Sequence, residues 1–447
     1  MSNEWTDAEG RVDRAHVLYE QGRWAEAAAE LQAAIDINPL NPLWHFNLGL
    51  TLEALEDYER AGAVFARALE MQPNDIETLN CLGVNMTRQG KYAEALNFFA
   101  SIEKLDPNYE PSYCNRIITY TEMGQHDQAE LMFYLARQVK DDCSLCYYNI
   151  AASLYNRGQY DAAINCLQQV LRLDPKHPQT NVHIAEAYWA KGELDQAAKH
   201  YRMELDVAGE DVETMLDLGE LMMEMDRPDH AAALFRRALA LGDNADAFFC
   251  LGELALQQKN YDEAAAFFQN VLAADQNYAA AHARLAQVCL ARGQSMEAAK
   301  HLTIELKRCG DDAVMLAELG QLLLEAHMAR QANAVFQRLV TLRPEDPDAR
   351  HSLAVSYFEL KMMDEGIRQC RRALKLQPQN PQALYNLALA HVQTGSIRRA
   401  RRYLWRAMSL APQDQTIRQL GKKLNMTGLL GRLGRRFEGF AWRWMPL

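Results

Sequence analysis

The chain has 447 residues, of which 49% are hydrophobic and 24% are charged, and its formal net charge is −12. No window reaches the roughly eighteen apolar residues of a membrane-spanning helix, and residues 1–6 contain an acid and no apolar run, so we expect neither a transmembrane segment nor a secretory signal peptide. Nine scattered cysteines, an odd number, are typical of a reducing compartment, and we therefore expect a cytoplasmic protein.

A pattern of 34 residues fills most of the chain in twelve copies. The clearest copy, residues 42–75, has the small residues Gly49 and Ala61 at its eighth and twentieth positions and Phe65 at its twenty-fourth. The small residues let two antiparallel helices approach, and the aromatic side chain fills the gap toward the next hairpin. The pattern predicts twelve helical hairpins, which means twenty-four helices and no strand. The copies begin at residues 8, 42, 76, 110, 144, 178, 212, 245, 279, 313, 347 and 381.

These positions resemble the tetratricopeptide-repeat family over residues 8–414. The resemblance implies an all-α, right-handed superhelical solenoid, whose concave groove is lined mainly by the first helix of each repeat and binds extended peptides or partner helices. Because each hairpin contacts mainly its neighbours, we expect one elongated domain. Residues 1–7 would precede it, residues 415–426 would form a capping helix, and residues 427–447 match no repeat.

The family geometry places several aromatic and asparagine side chains along the predicted groove. An asparagine at the sixth position resembles the asparagine ladder in the repeat domain of O-GlcNAc transferase, where amide groups hold a peptide backbone. Other residue types interrupt the ladder here, and a polar surface that only keeps the solenoid soluble is the alternative interpretation. The groove residues of this kind are Phe46, Asn47, Asn115, Tyr148, Asn149, Tyr155, Tyr385 and Asn386.

The middle of the predicted groove is acidic. Glu213, Asp217, Glu220 and Glu224 have the spacing of one helical face, and Glu186 and Glu253 should lie on flanking helices of the same side. Like charges at this spacing oppose helix formation unless a cation satisfies them. The row therefore favours a basic partner segment, and a solvated acidic face is the alternative. We expect no metal site, since no histidine joins the row.

The sequence contains no recognisable catalytic or cofactor motif, so we expect no enzyme activity, no cofactor and no metal. Cys143 and Cys146 form a C-x-x-C pair, but no second pair stands at the spacing of a zinc site. Glu204 replaces a small residue in a segment that recurs with Glu305, which suggests a duplicated block of three repeats. We expect Lys199 and Lys300, or the histidines next to them, to satisfy these carboxylates.

The C-terminal end is basic and aromatic. Residues 397–447 contain twelve basic and two acidic residues. As a helix, residues 427–447 would place leucines and aromatic rings on one face and arginines on the other, which is typical of a segment that binds an anionic membrane surface. Docking on another protein, folding into the chain's own acidic groove and a simple terminal cap are the alternatives. The docking residues would be Leu433, Arg435, Arg436, Phe437, Phe440, Trp442 and Trp444.

The functional interpretation is a non-enzymatic scaffold or adaptor that binds protein segments in its groove, with basic segments as the candidates for the acidic part, and is positioned by its tail. The alternative is a regulatory or targeting subunit of a separately encoded enzyme, similar to the repeat half of O-GlcNAc transferase without its catalytic half. Nucleic acid is not an expected partner, because the aromatic residues of the tail share a face with leucines and do not alternate with cations. The oligomeric state does not follow from the sequence.

Overall fold

The computed structural model describes residues 2–430, and it describes side chains for residues 7–424. Twenty-five helices follow one another over this range, and no described residue forms a strand. The chain divides into two compact units, unit 1 ending at Leu234 and unit 2 beginning at Phe235. The predicted all-α solenoid of helical hairpins is confirmed in both units.

Unit 1 contains six complete hairpins and the first helix of a seventh. Its helices are α1 (Ser2–Glu20), α2 (Trp24–Ile37), α3 (Pro42–Ala54), α4 (Tyr58–Met71), α5 (Ile76–Arg88), α6 (Tyr92–Leu105), α7 (Glu110–Glu122), α8 (His126–Val139), α9 (Ser144–Asn156), α10 (Tyr160–Leu173), α11 (Thr180–Ala190), α12 (Leu194–Ala208) and α13 (Val212–Glu224). The boundary between the units falls within α14 (Pro228–Leu241).

Unit 2 continues the pattern of hairpins and ends in an additional helix. Its helices are α15 (Ala245–Gln257), α16 (Tyr261–Ala274), α17 (Ala281–Ala291), α18 (Ser295–Arg308), α19 (Ala313–Glu325), α20 (Ala329–Leu342), α21 (Pro347–Glu359), α22 (Met363–Leu376), α23 (Pro381–Gln393), α24 (Ile397–Leu410) and α25 (Gln415–Leu430). Along α25, Ile417, Leu420 and Leu424 are buried and join the core around Leu404 of α24.

Glycine and phenylalanine pair within a hairpin rather than between hairpins. Phe65 of α4 lies directly against Gly49 of α3, in the space that a Cβ atom would fill, and Gly83 and Phe99 repeat this contact in the next hairpin. The aromatic residue therefore fills the gap inside its own hairpin, which corrects the expectation that it points toward the next one. The phenylalanine ring packs closely on the glycine, which has no side chain, and this contact holds the two helices together.

One hairpin exchanges the two partners of this contact. In the hairpin of α21 and α22 the large residue, Phe358, lies on the first helix, and the glycine, Gly366, lies on the second. Phe358 is the twelfth residue of its repeat and Gly366 the twentieth, so this contact uses other repeat positions than Gly49 and Phe65 do but again packs a large side chain on a glycine. The same interior can therefore be built from either helix.

Side-chain caps begin most of the first helices, but α11 and α17 use a buried glutamate. Gln179 and Ala280, which precede these helices, have positive φ angles of 61° and 66°. The carboxylate of Glu204, 3% exposed, accepts hydrogen bonds from the backbone N–H groups of Gln179 at 2.9 Å and Asn181 at 3.2 Å. Both helices consequently begin two residues after the repeat position that the sequence predicts.

The prediction that lysines or histidines pair with the carboxylates of Glu204 and Glu305 is wrong. Lys199 is exposed, and Lys300 pairs with Glu297 at 2.8 Å. The histidines of the two segments have other partners: His200 lies 3.0 Å from Asn181 Oδ1, and His301 lies 2.9 Å from His282. Glu305 is buried, which raises its pKa, while backbone N–H groups of Ala280 and Ala283 oppose that rise. Amide groups at the N-terminus of α11 thus satisfy Glu204, whereas Glu305 has backbone partners at α17 but its Oε2 has no hydrogen-bond partner among the described residues.

Candidate partner-binding groove

Three first helices of unit 1 carry most of the predicted groove residues. Tyr148 of α9 and Glu186 of α11 are linked through His183, whose Nε2 lies 2.8 Å from the Tyr148 hydroxyl and whose Nδ1 lies 2.8 Å from a Glu186 oxygen. Together with Tyr155 these residues line a pocket of about 200 Å³, whose floor includes Ala163 and Leu167 of α10. The sequence places the tyrosines and Glu186 on one side of the solenoid, and the structure brings them together.

Aromatic rings form the wall of this pocket. The Tyr148 ring lies 4.8 Å from the His177 ring and 5.4 Å from the His183 ring, centroid to centroid. The Tyr155 ring lies 5.3 Å from that of Tyr160 and keeps 36% of its surface exposed. Tyrosine faces that are fixed by neighbours but open on one side can receive a cation or an aliphatic chain.

Carboxylates of α13 stand next to this pocket. Burial raises the pKa of Asp217 to about 6, and the charges of Glu186, Glu220 and Glu213 add to the rise. Burial also raises the pKa of Tyr201, with Asp217 the largest charged contributor. Among the residues that the structure describes, no lysine or arginine forms an ion pair with Glu213, Asp217 or Glu220. We call the surface formed by Tyr148, Tyr155, Glu186, Glu213, Asp217 and Glu220 the acidic groove.

Glu224 lies at the end of the same helix but has a partner. The indole N–H of Trp189 on α11 donates a hydrogen bond of 2.6 Å to its carboxylate. This contact joins two neighbouring first helices, and it occupies the Glu224 carboxylate that the sequence analysis expected to bind a partner.

Several predicted groove residues have structural partners. Asn149 is buried and donates to the Cys114 carbonyl at 3.2 Å, and Asn115 donates to Asn80 at 2.9 Å. Phe46 is half-buried, 5.8 Å from Phe65. Asn47 lines a second pocket with residues of α1 and α3. Asparagine amides in this part of the chain therefore connect hairpins to each other, which leaves them less free to hold a peptide backbone.

The predicted groove residues of unit 2 are also engaged. Glu253 forms an ion pair of 2.6 Å with Arg284, which also pairs with Glu318, so three successive first helices share one charge network. Tyr385 is 3% exposed and Asn386 is fully buried, with its amide nitrogen 2.9 Å from His351 Nε2. Both lie on α23, where every residue from Ala383 to His391 is buried, and this differs from the open position that the sequence predicts.

The C-x-x-C pair has partners that the spacing of cysteines in the sequence does not reveal. Cys143 and Cys146 at the start of α9 meet Glu110 and Cys114 of α7. Cys114 and Cys146 form a disulfide, and the sulfur atom of Cys143 lies 3.6 Å from that of Cys114. Burial raises the pKa of the Cys143 thiol to about 11, with Glu110 adding to the rise. The structure thus brings together three of the nine cysteines that are scattered along the sequence, and two of them form a disulfide.

The repeated hairpins have a clear counterpart among known families. A family model described as tetratricopeptide repeat matches residues 12–76, 148–211, 216–279, 317–381 and 363–415, and a second model of the same description matches residues 255–306. These matches cover more than half of the chain. The chain belongs to the tetratricopeptide-repeat family. Proteins of this family generally mediate protein–protein interactions.

Two other proteins are similar to parts of the chain. The human protein O-mannosyl-transferase TMTC1 is 26% identical over 202 residues, which are 44% of this chain and 22% of that protein. A lipoprotein NlpI homolog of Haemophilus influenzae is 25% identical over 217 residues, which are 44% of this chain and 63% of that protein. The match thus spans less than two thirds of either relative.

Solved structures of the same repeat are similar over longer stretches. The APC/C hetero-tetramer Cut9–Hcn1 has a TM-score of 0.43 at 15% identity and covers 92% of this chain and 95% of that chain. Yeast Tom70 has a TM-score of 0.40 at 14% identity, and the match covers 95% of this chain and 96% of that chain.

The predicted tail-docking residues follow the last tetratricopeptide repeat. Leu433, Arg435, Arg436, Phe437, Phe440, Trp442 and Trp444 lie outside the described residues. Over the part of the chain that the structure does describe, none of the helices combines the length and the apolar content that a membrane crossing needs.

Proposed function

We propose that this chain is a non-enzymatic scaffold that binds a basic segment of a partner protein in the acidic groove of unit 1. The observation that carries the proposal is the charge balance of α13. Glu213, Asp217 and Glu220 lack a basic partner among the described residues, and their mutual repulsion contributes to the raised pKa of Asp217. A positively charged ligand relieves this repulsion, because it favours the ionised form of every carboxylate near it.

The pocket beside the carboxylates fits one basic side chain of such a segment. Its aliphatic stem would pack on Ala151 and Leu167, and its charged end would meet the tyrosine faces and Glu186. Cation–π contact contributes about 0.5–2 kcal/mol, and more where water is displaced. The pocket therefore supplies an anchor, and the row of α13 supplies attraction along the segment.

Charge, rather than backbone gripping, is the expected basis of recognition. Asn115 and Asn149 use their amide groups within the solenoid, so a continuous asparagine ladder does not support the proposal. Binding that depends on exposed charges weakens as salt screens them. A partner should consequently be recognised by its density of lysine and arginine, and its affinity should fall with ionic strength.

The experiment compares charge reversal inside and outside the groove. Fluorescence anisotropy would measure a lysine- and arginine-rich peptide against the full chain and two double variants of equal charge change. Asp217→Lys with Glu220→Lys should weaken binding by about tenfold or more, because two attractive charges become repulsive. Glu59→Lys with Glu94→Lys, at exposed positions of α4 and α6, should change it little. If both double variants bind the peptide with equal affinity, the acidic groove is not its binding site.

We also propose that residues 427–447 position the scaffold on an anionic surface. This segment contains four arginines, four phenylalanine or tryptophan residues and four leucines, and this composition supports the second part of the proposal. Co-purification distinguishes the scaffold from a targeting subunit: a scaffold returns several sub-stoichiometric partners, whereas a subunit returns one stoichiometric enzyme.

A further inference from the structure

Four side chains with metal-binding atoms converge where α7 packs against α9. Glu110 and Cys114 lie one turn apart on α7, and Cys143 and Cys146 lie at the N-terminus of α9. One ligand atom from each residue lies within 4.8 Å of all the others. The three cysteines are buried and Glu110 is half-buried, so the cluster forms part of the junction between two hairpins. We call these four residues the cysteine cluster.

The disulfide accounts for only two members of the cysteine cluster. Glu110 Oε1 lies 2.8 Å from Cys114 Sγ and 3.1 Å from Cys146 Sγ, and Cys143 Sγ lies 3.6 Å from Cys114 Sγ. A disulfide has no hydrogen to donate, so the oxidised pair faces the carboxylate with lone pairs only. Thiols would donate to Glu110, and a cation would bind all four groups. The convergence of Glu110 and Cys143 is therefore unexplained by the disulfide.

We propose that the cysteine cluster of the reduced chain binds one Zn²⁺ ion. Zinc in proteins takes four ligands from cysteine sulfur, histidine nitrogen and carboxylate oxygen, and tetrahedral Zn–S bonds of about 2.3 Å place neighbouring sulfurs about 3.8 Å apart. The 3.6 Å between Cys114 and Cys143 is close to this spacing. Cys146 reaches it when the disulfide opens, and Glu110 supplies the fourth ligand.

A backbone contact of α9 opposes the effect of burial on the pKa of the Cys143 thiol. Cys143 is the N-cap residue of α9, and its sulfur accepts a hydrogen bond from the Cys146 N–H at 3.3 Å. Hydrogen bonds and the dipole at a helix N-terminus stabilise negative charge on sulfur. Zn²⁺ supplies the rest of the stabilisation, because three Zn–S bonds form as the three thiols release their protons into solvent.

Zinc binding and the disulfide exclude each other at this site. The Cys114–Cys146 bond must first be reduced to two thiols. A trialkylphosphine supplies the two electrons, and one water molecule supplies the two thiol protons and the oxygen atom of the phosphine oxide that leaves. The ion would then join α7 to α9, the helix that carries Tyr148 and Tyr155 of the acidic groove. The site would thereby fix one wall of that groove in reducing conditions.

The test loads the phosphine-reduced, full-length chain with metal in the absence of oxygen. Zinc content after gel filtration should be one ion per chain, and Co²⁺ should give the intense thiolate-to-metal absorption of a tetrahedral sulfur site. Cys143→Ser should lower metal affinity by about tenfold or more, because it removes a ligand. Serine keeps the N-cap of α9, so this variant should retain the helical circular dichroism signal.

Matched variants separate the metal site from the disulfide. Cys166→Ser, on α10 and outside the cluster, should bind Co²⁺ as the unchanged chain does. Glu110→Gln should keep the sulfur-to-cobalt absorption and weaken affinity. If the reduced chain shows no such absorption with excess Co²⁺, or if Cys143→Ser binds metal as tightly as the unchanged chain, the cluster is only the disulfide and its neighbours.

Discussion

Phe268 of α16 occupies the space in which a side chain on Gly252 of α15 would begin. A Cβ atom built on Gly252 would lie 2.6 Å from Phe268 Cε1 and 2.8 Å from its Cζ. Real carbon atoms do not approach so closely, so one residue must stay glycine for the other to stay phenylalanine in this position. The two side chains form a single packing unit of unit 2.

Gly252→Ala should therefore destabilise unit 2 by about 1–3 kcal/mol, the usual cost of overpacking. The thermal midpoint and the denaturant midpoint should both fall. Combining Gly252→Ala with Phe268→Leu should recover part of the loss, because a smaller side chain makes room for the new methyl group.

Gly242→Ala is the matched control for this experiment. Nothing lies within 4 Å of the Cβ atom that it adds. The thermal and denaturant midpoints of the Gly242→Ala variant should stay close to those of the unchanged chain. A fall as large as that of Gly252→Ala would show that the clash with Phe268 is not the cause.

The second prediction concerns the buried carboxylate of Glu204. Its two hydrogen bonds with Gln179 and Asn181 satisfy amide groups at the start of α11 that have no partner inside the helix. Glu204→Ala should lower the free energy of unfolding by about 1–3 kcal/mol, the cost of leaving buried polar groups unpaired. Asp206→Ala, at an exposed position of the same helix, should cost little. Equal midpoints for the two variants would contradict the capping role.

The repeat could be predicted from the sequence because its signal is side-chain size at fixed positions. Gly252 and Phe268 are visible as a small and a large residue, and each constrains the other inside one hairpin. The partners of Glu204 could not be predicted in this way, since backbone N–H groups leave no mark in the sequence. Only the left-handed Gln179 turns them toward the carboxylate.

The cysteine cluster is a second feature that the sequence did not predict, and its residues are farther apart along the chain. Cys114 and Cys146 are 32 residues apart, almost one repeat, so they meet because α7 and α9 stack as successive first helices. Cys114 is the fifth residue of its repeat and Cys146 the third residue of the next, so a comparison of equivalent repeat positions pairs Cys114 with Tyr148 and does not reveal the cluster. The groove residues were found by repeat position, but their burial depends on side-chain contacts that position alone does not give, as Asn149 illustrates.

The third prediction tests the tail as a targeting segment. Deleting residues 427–447 should abolish co-sedimentation with vesicles that contain anionic lipid, because the deletion removes the arginines and aromatic residues of the tail. Phe440→Ser with Trp444→Ser should do the same while charge is retained. The thermal midpoint should change little, since Ile417, Leu420 and Leu424 stay in the core of unit 2. An intact chain that ignores such vesicles at low salt would refute the membrane role.

The last prediction is a pH dependence that comes from Asp217. Its pKa is raised from 3.8 to about 6, first by burial and then by neighbouring carboxylates, so the folded chain holds this proton more tightly than the unfolded chain does. The contribution of Asp217 to stability is thus fully present below about pH 4 and is lost as the pH rises toward about 6. Asp217→Asn should flatten this part of the profile of thermal midpoint against pH.

Binding of a basic peptide should show the opposite trend over the same range. Lysine and arginine stay charged there, and they attract ionised Asp217 more than its protonated form, so affinity should rise between about pH 5 and pH 7 and then level off. Asp217→Asn should remove most of that rise, whereas Asp206→Asn at an exposed position of α12 should preserve it. If the unchanged chain binds the peptide equally at both ends of the range, Asp217 does not contact the bound segment, and the acidic groove must be placed elsewhere.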